Sequence, residues 1–237
     1  MREYNDIMIA LDFPGAEEAL GFLDNLDTGD DKPFVKIGME LFYSEGPDIV
    51  REVKKRGYSV FLDLKLHDIP NTVGNAMKVL AGLGVDMINV HAAGGIKMME
   101  AAVRGLEEGW KASGRNGKRP YIIAVTQLTS TDQETMNKEI LIPGRVESVV
   151  AEYARNAKAA GLDGVVCSPL EAQMIHGVAG ADFLTVTPGI RLPGDSKGDQ
   201  KRVTTPEDAR NYGSDYMVIG RSITKADDPS EAYRRCR

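Results

Sequence analysis

Residues 61–72 read "FLDLKLHDIPNT". Leu62, Leu64 and Leu66 alternate with Asp63, Lys65 and His67, and period-two alternation marks a strand. An ordinary half-buried strand would turn that polar face to water. The flanks set the context. Upstream, "GPDIVREVKKRG" (46–57) carries Pro47 near its start and Gly57 at its end, the asymmetry of a helix. Downstream, "NTVGNAMKVLAGLG" (71–84) has helical spacing and leads into the apolar run "MINVH" (87–91). Helix, strand, helix, strand is one stretch of a longer alternation.

Outward from there the same two kinds of segment recur. Short strands are expected at 7–11 ("IMIAL"), 34–38, 59–65 and 87–91, then at 121–128, 164–168, 183–187 and 216–220. Between them lie "PGAEEALGFLDNL", "IKMMEAAVRGLEEG", "RVESVVAEYARNAKAAG", "LEAQMIHGVAG", "TPEDARNYG" and a short final "PSEAYRRC", all read as helices. Strand after strand followed by helix, over 237 residues, reads as an α/β fold of the (β/α)8 TIM-barrel class. A doubly wound open sheet fits less well, because no Gly-rich dinucleotide turn follows the first strand. No domain-sized break interrupts the alternation, so residues 1–237 are expected to form a single catalytic domain. The basic stretch "KASGRNGKRP" (111–120) precedes the fifth strand and reads as a solvated connector on the N-terminal face.

Composition narrows the classes. Hydrophobic residues make up 42%, enough for a substantial core, and the net charge of −6 argues against nucleic acid or an anionic membrane surface as partner. Any anion site must then be built locally. Cys167 and Cys236 make no disulfide framework, and Cys167, at the end of an apolar run, reads as a small core residue. "REYND" follows Met1 with no apolar targeting stretch, and no run approaches the ~20 residues that span a bilayer. A cytoplasmic protein is expected.

Barrel geometry decides what the polar face of residues 61–72 does. Alternate strand residues point outward to the helices or inward to the lumen. The leucines must meet the helices, so Asp63 and Lys65 face inward, at the C-terminal end where sites of this architecture sit. Lys36 interrupts "FVKIG" in the same manner, and Asp12 ends "IMIALD". Buried charges cost of the order of several kcal/mol each unless paired, so these lysines and aspartates must neutralise one another. A purely structural cluster is the plainer reading. The crowding of four charges at strand ends on the working face favours function. A phosphate site is separately legible. "TVTPGIR" (185–191) puts Gly189 and Arg191 after the seventh strand, and "VIGRSIT" (218–224) puts Gly220 and Arg221 between the eighth strand and a short helix. Barrels often hold phosphate with these two loops, where glycine admits the backbone and arginine grips oxygens. The expected ligand is a phosphate ester.

"DLKLHDIPNTV", with "IALD", "VKIGMELFY", "VTQLTS", "TPGIR" and "IGRSIT", resembles the orotidine 5′-monophosphate decarboxylases of bacterial type, from the first strand to about residue 230. The resemblance implies a homodimeric TIM barrel that converts orotidine monophosphate to uridine monophosphate and carbon dioxide, with no metal and no organic cofactor. It implies that Lys36, Asp63, Lys65 and Asp68 form an alternating charge array, Asp68 coming from the other subunit, with Lys65 as proton donor. It further implies that Asp12 and Lys36 contact the ribose, that Thr72 comes from the partner, and that Thr129 meets the pyrimidine. Gln200, Arg191, Gly220 and Arg221 would hold the phosphate end. "LPGDSKGDQKR" (192–202), rich in glycine and charge, would be a lid carrying Gln200. The family pattern often continues somewhat beyond "EAYRRCR", so a short final helix is expected here.

Other residues receive plainer readings. His67 shares the inward parity of Lys65 and reads as a hydrogen-bonded structural residue. His91 and His176 have no second ligand at metal spacing, and Trp110 and "KMME" read as packing. Two rival functions remain. One is a magnesium-dependent sugar-phosphate decarboxylase or aldolase with an Asp-x-Lys-x-x-Asp motif, which Asp63, Lys65 and Asp68 also fit. The other is a catalytically silent barrel that senses nucleotides.

Overall fold

The computed structural model describes residues 6–29, 32–193 and 204–237. Its strands are β1 (Ile7–Leu11), β2 (Phe34–Gly38), β3 (Ser59–Leu66), β4 (Met87–His91), β5 (Tyr121–Val125), β6 (Gly164–Val166), β7 (Leu184–Thr187) and β8 (Tyr216–Ile219). All pair in parallel and in chain order, and β8 closes on β1 through Ile7↔Met217, Met8↔Val218 and Ile9↔Ile219. The helices are α1 (Ala16–Asn25), α2 (Met39–Glu45), α3 (Pro47–Lys55), α4 (Pro70–Ala81), α5 (Gly95–Ala112), α6 (Val146–Ala159), α7 (Ala172–Ala179), α8 (Pro206–Asn211), α9 (Arg221–Thr224) and α10 (Pro229–Cys236). The (β/α)8 barrel is therefore the fold, and the open sheet is excluded by closure.

The alternation of each strand sorts its residues into two apolar regions. Outward residues such as Ile9, Val35, Leu62, Ile88 and Val165 join Val50, Met77, Leu106, Val150 and Ile175 of the helices in one layer. Inward residues Met8, Phe34, Phe61, Met87, Ile123 and Tyr216 fill the lumen, where Phe34 and Tyr216 meet edge to face at 6.0 Å. This plug positions the site. Two residues further along each strand, on the same inward face, come Ala10, Lys36, Asp63 and Asn89. The charged layer thus rests on an apolar floor that water does not enter.

Several local readings shift. β5 stops at Val125 and β6 at Val166, earlier than the apolar runs suggest. Beyond β6, Ser168 and Glu171 form a reciprocal capping box that opens a 3-10 turn, so the chain leaves the sheet. Residues 39–45 form a helix, α2, that the sequence reading did not anticipate. It departs directly from β2 with Gly38 as its cap and breaks at Gly46, whose φ is +66°. Helices α4 and α5, which follow β3 and β4, touch backbone to backbone. A Cβ on Gly105 would lie 2.0 Å from the Gly74 carbonyl oxygen, and one on Gly109 would lie 2.1 Å from that of Lys78. Cys167 and Cys236 are both buried and are not joined in a disulfide. No helix among the described residues is long and apolar enough to cross a membrane.

Candidate active site

At the C-terminal mouth of the barrel the inward charges meet in alternating sign. Lys36 Nζ lies 3.0 Å from Asp12 Oδ1 and 3.5 Å from Asp63 Oδ2. Lys65 Nζ lies 2.7 Å from Asp63 Oδ1. Lys36 and Asp63 are buried, Lys65 is partly so, and Asp12 opens to solvent. Burial alone would drive Lys36 to lose its proton, yet the carboxylates of Asp63 and Asp12 outweigh it and raise its pKa above the ordinary lysine value. Burial likewise opposes ionisation of Asp63. Lys36, Lys65 and a bond from Asn89 overcome it and hold that carboxyl below the usual range. Each ion is stable because its neighbours are ions.

Asn89, on the inward face of β4, is a site residue the sequence reading missed. It is fully buried. Its Nδ2 donates to Asp63 Oδ1 at 2.7 Å, and its Oδ1 accepts from the Lys65 backbone N–H at 2.8 Å. The available signal was a lone amide inside the apolar "MINVH", at the parity of Met87 and His91. His67 departs from its reading. Rather than a hydrogen-bonded structural residue it is exposed, with its ring 5.7 Å from that of His91. β3 bulges at this point, so inward parity does not extend to residue 67. His91 has its pKa lowered, by burial first and then by His67 and Lys65.

Asp68 and Thr72 are not part of this array within one chain. Both are exposed. Asp68 Oδ1 accepts from the Ile69 N–H at 2.6 Å, and among the described residues Asp68 forms no ion pair. α4 and its approach expose two large apolar side chains, Ile69 at 65% and Val79 at 68%.

A cavity of about 190 Å³ opens over the array, lined by Lys36, Asp63, Lys65, Gln127, Thr129 and Pro188 among others. Gln127 and Thr129 lie just past β5 and are buried. A second hollow of about 720 Å³, lined by Asp12, Glu40, Arg221 and Lys225 among others, adjoins it across the Asp12–Lys36 pair. Arg221 begins α9 and Gly220 caps it, its carbonyl accepting from the N–H groups of Ile223 and Thr224. Across the mouth, Gly189 has φ +85°, and the chain after β7 is pinned by Arg191 N–H to Thr204 O at 3.0 Å. Arg191 Nη1 donates to the Ile190 carbonyl at 2.9 Å. Gln200 lies outside the described residues, as does most of the expected lid. A further hollow of about 470 Å³ lies at the opposite rim, between Trp110, Asp86 and the 114–120 connector, away from the charge array. Among the described residues no three His, Cys, Asp or Glu side chains are placed to hold a metal ion.

The sequence profile of the family described as "Orotidine 5'-phosphate decarboxylase / HUMPS family" matches residues 5–236. The chain is 57% identical over 228 residues to orotidine 5'-phosphate decarboxylases of Bacillus mycoides (strain KBAB4) and Bacillus cereus (strain B4264), covering 96% of this chain and 94% of each relative. The crystal structure of orotidine 5'-phosphate decarboxylase from Lactobacillus acidophilus superposes with a TM-score of 0.85 at 42% identity, over 97% of this chain and 96% of that one. An uncharacterized conserved protein from Geobacillus kaustophilus superposes with a TM-score of 0.84 at 51% identity, over 97% of both chains.

Proposed function

Because this chain belongs to the orotidine 5'-phosphate decarboxylase / HUMPS family, we propose that it is the enzyme that decarboxylates orotidine 5′-monophosphate to uridine 5′-monophosphate, the last step of de novo pyrimidine synthesis. The observation that carries the reading is the Asp12–Lys36–Asp63–Lys65 chain of alternating charge, its two middle members buried, at the cavity in the barrel mouth.

The chemistry needs such a chain. When the C6–carboxylate bond breaks, carbon dioxide leaves and its electron pair stays on C6 as a vinyl carbanion with no adjacent carbonyl to spread it. A fixed ammonium opposite C6 stabilises that charge and then donates its proton there, leaving neutral lysine to be reprotonated from solvent. Lys65 is the donor in this reading. Asp63 pairs with its ammonium at 2.7 Å and aims it, and Lys36 helps hold Asp63 ionised, so the pair is in place before reaction. Asp12 and Lys36 hold the ribose, and Thr129 meets the pyrimidine. Gly220, Arg221, Arg191 and Gln200 take the phosphate, whose binding energy is remote from C6 yet available to the transition state. The reaction asks for no metal or organic cofactor.

The enzyme is further proposed to act in the cytoplasm as a homodimer, a single catalytic domain per chain. Asp68 and Thr72 are exposed, and exposed Ile69 next to Asp68 and Val79 further along α4 suit a buried interface. The partner subunit's Asp68 then completes the array beyond Lys65, and the partner subunit's Thr72 adds a contact.

The direct test is loss of pyrimidine absorbance when orotidine monophosphate is added. Turnover unaffected by a chelator is expected; chelator-sensitive turnover of a sugar phosphate instead would favour the magnesium-dependent reading that the Asp63, Lys65, Asp68 spacing also fits. No turnover of either would leave a sensor. The phosphate grip has its own test. Arg221→Ala is expected to lower kcat/KM for orotidine monophosphate about 100-fold or more and to leave the slow turnover of phosphate-free orotidine nearly unchanged. Equal losses on both substrates would make Arg221 a structural residue.

A further inference from the structure

The pairing of β3 with β4 runs in register at Phe61↔Met87 and Leu62↔Ile88 and resumes at Leu66↔Val90. The step from Leu62 to Leu66 is therefore two residues longer than the step it matches, from Ile88 to Val90. The surplus is taken up in a bulge holding Asp63, Leu64 and Lys65. Within it Lys65 adopts φ +54°, a left-handed backbone that a side-chain-bearing residue takes up only when its surroundings hold it there. A bulge also takes backbone groups out of the ladder, and a buried N–H without a ladder partner must find another.

Asn89 is the β4 residue that stands opposite this bulge, between Ile88 and Val90. It supplies the missing acceptor to the Lys65 N–H and, with its other end, a donor to Asp63. The polarity of both partners is fixed: a backbone N–H only donates, and an ionised carboxylate only accepts. The amide orientation is therefore determined, and both ends are used. A leucine of the same shape supplies neither bond, and an aspartate supplies one.

We propose that Asn89 is a positioning residue for the proton transfer, locking the left-handed backbone of Lys65 and the carboxylate of Asp63 into one rigid unit that aims the ammonium at the reacting carbon. This rests on the reading of Lys65 as proton donor. The groups that face Asp63 are Lys36 from β2, with Asp12 of β1 behind it, Lys65 from its own strand, and Asn89 and His91 from β4. None of the others touches both the Lys65 backbone and Asp63.

The test uses two variants of the parent's size at this position. Asn89→Asp still accepts from Lys65 but sets a second carboxylate against Asp63, and two carboxylates that close do not both ionise near neutrality. Its acidic limb of kcat is expected to rise by about one pH unit or more. Asn89→Leu is expected to lower kcat about 100-fold at every pH, since loss of aim rather than of charge is its lesion. Its affinity for uridine monophosphate should stay within about fivefold of the parent's. Hydrogen exchange at the Lys65 amide should be slow in the parent and fast in Asn89→Leu. Turnover of folded Asn89→Leu within about threefold of the parent, or a parental pH profile in Asn89→Asp, sinks the proposal. So does parallel loss of nucleotide affinity and kcat in both variants, or failure of both to fold, since either makes Asn89 merely structural. An inactive parent would defeat the functional reading instead, and the amide exchange would still judge the tether.

Discussion

Lys65→Ala is expected to lower kcat by about 10⁴-fold or more while the protein stays folded and still binds uridine monophosphate. The loss has two sources. A placed general acid contributes about 10²–10⁴-fold, and a fixed cation opposite a developing carbanion about 10²–10³-fold. In the proposed mechanism both belong to the Lys65 ammonium, so they disappear together, and 10⁴-fold corresponds to about 5 kcal/mol of transition-state free energy. The fold survives because Asp63 keeps Lys36 at 3.5 Å and the Asn89 amide at 2.7 Å, so no buried carboxylate is left unpartnered. Binding survives because phosphate and ribose contacts are assigned to Arg191, Arg221, Asp12 and Lys36. Single-turnover rates on orotidine monophosphate, with a titration of the product, check both halves. Turnover within tenfold of the parent would remove Lys65 from its role.

How much of this was readable in advance depends on whether a residue's position is set by local period or by a neighbouring strand. Asp63 and Lys36 were legible because each is a charge on an apolar strand, and a parallel barrel forces alternate residues inward. Asp12 was legible for a similar reason, as the charge that ends β1. The plug of Phe34, Phe61, Met87 and Tyr216 follows from the same parity. Asn89 was not legible, because its importance arises from a mismatch between β3 and β4 that neither strand displays alone. The same mismatch ends the parity argument at Lys65, which is why His67 surfaces beside His91. α2 was hidden because it follows β2 with only Gly38 as cap and no side-chain capping bond. Asp68 and Thr72 stand apart again. Both are exposed on their own chain, and only the family resemblance assigns them to a site.

The apolar floor explains why so few charges suffice. Attraction between Lys65 and Asp63 at 2.7 Å would be weak in water, but beside Phe61 and beneath a small cavity the effective dielectric is far lower. The same floor makes any unpaired member costly. Such surroundings favour ions that alternate in sign, and among the described residues of one chain the array ends at Lys65, whose carboxylate neighbour is Asp63. A second carboxylate beyond Lys65, from a partner, would continue the alternation. That continuation leads to the most demanding test.

Lys65→Ala and Asp68→Ala homodimers are each expected to be nearly inactive, and their mixture is expected to recover activity. Asp68 sits on the short link between β3 and α4, exposed, next to Ile69 and, among the described residues, without an ion pair. If the partner subunit's Asp68 completes each site, a mixed dimer has one site with both lesions and one with neither. Its intact site takes Lys65 from one chain and Asp68 from the other. After unfolding, equal mixing and refolding, random pairing makes about half the dimers mixed, so roughly a quarter of all sites should be wild type under two-fold symmetry. Activity should return to about that fraction of the parent, from parents that are each lower by orders of magnitude. Differently tagged chains, purified over two affinity steps, establish that mixed dimers formed. A mixture that holds them and stays as inactive as its parents would place the whole site within one chain, and Asp68 would then act on its own subunit or not at all.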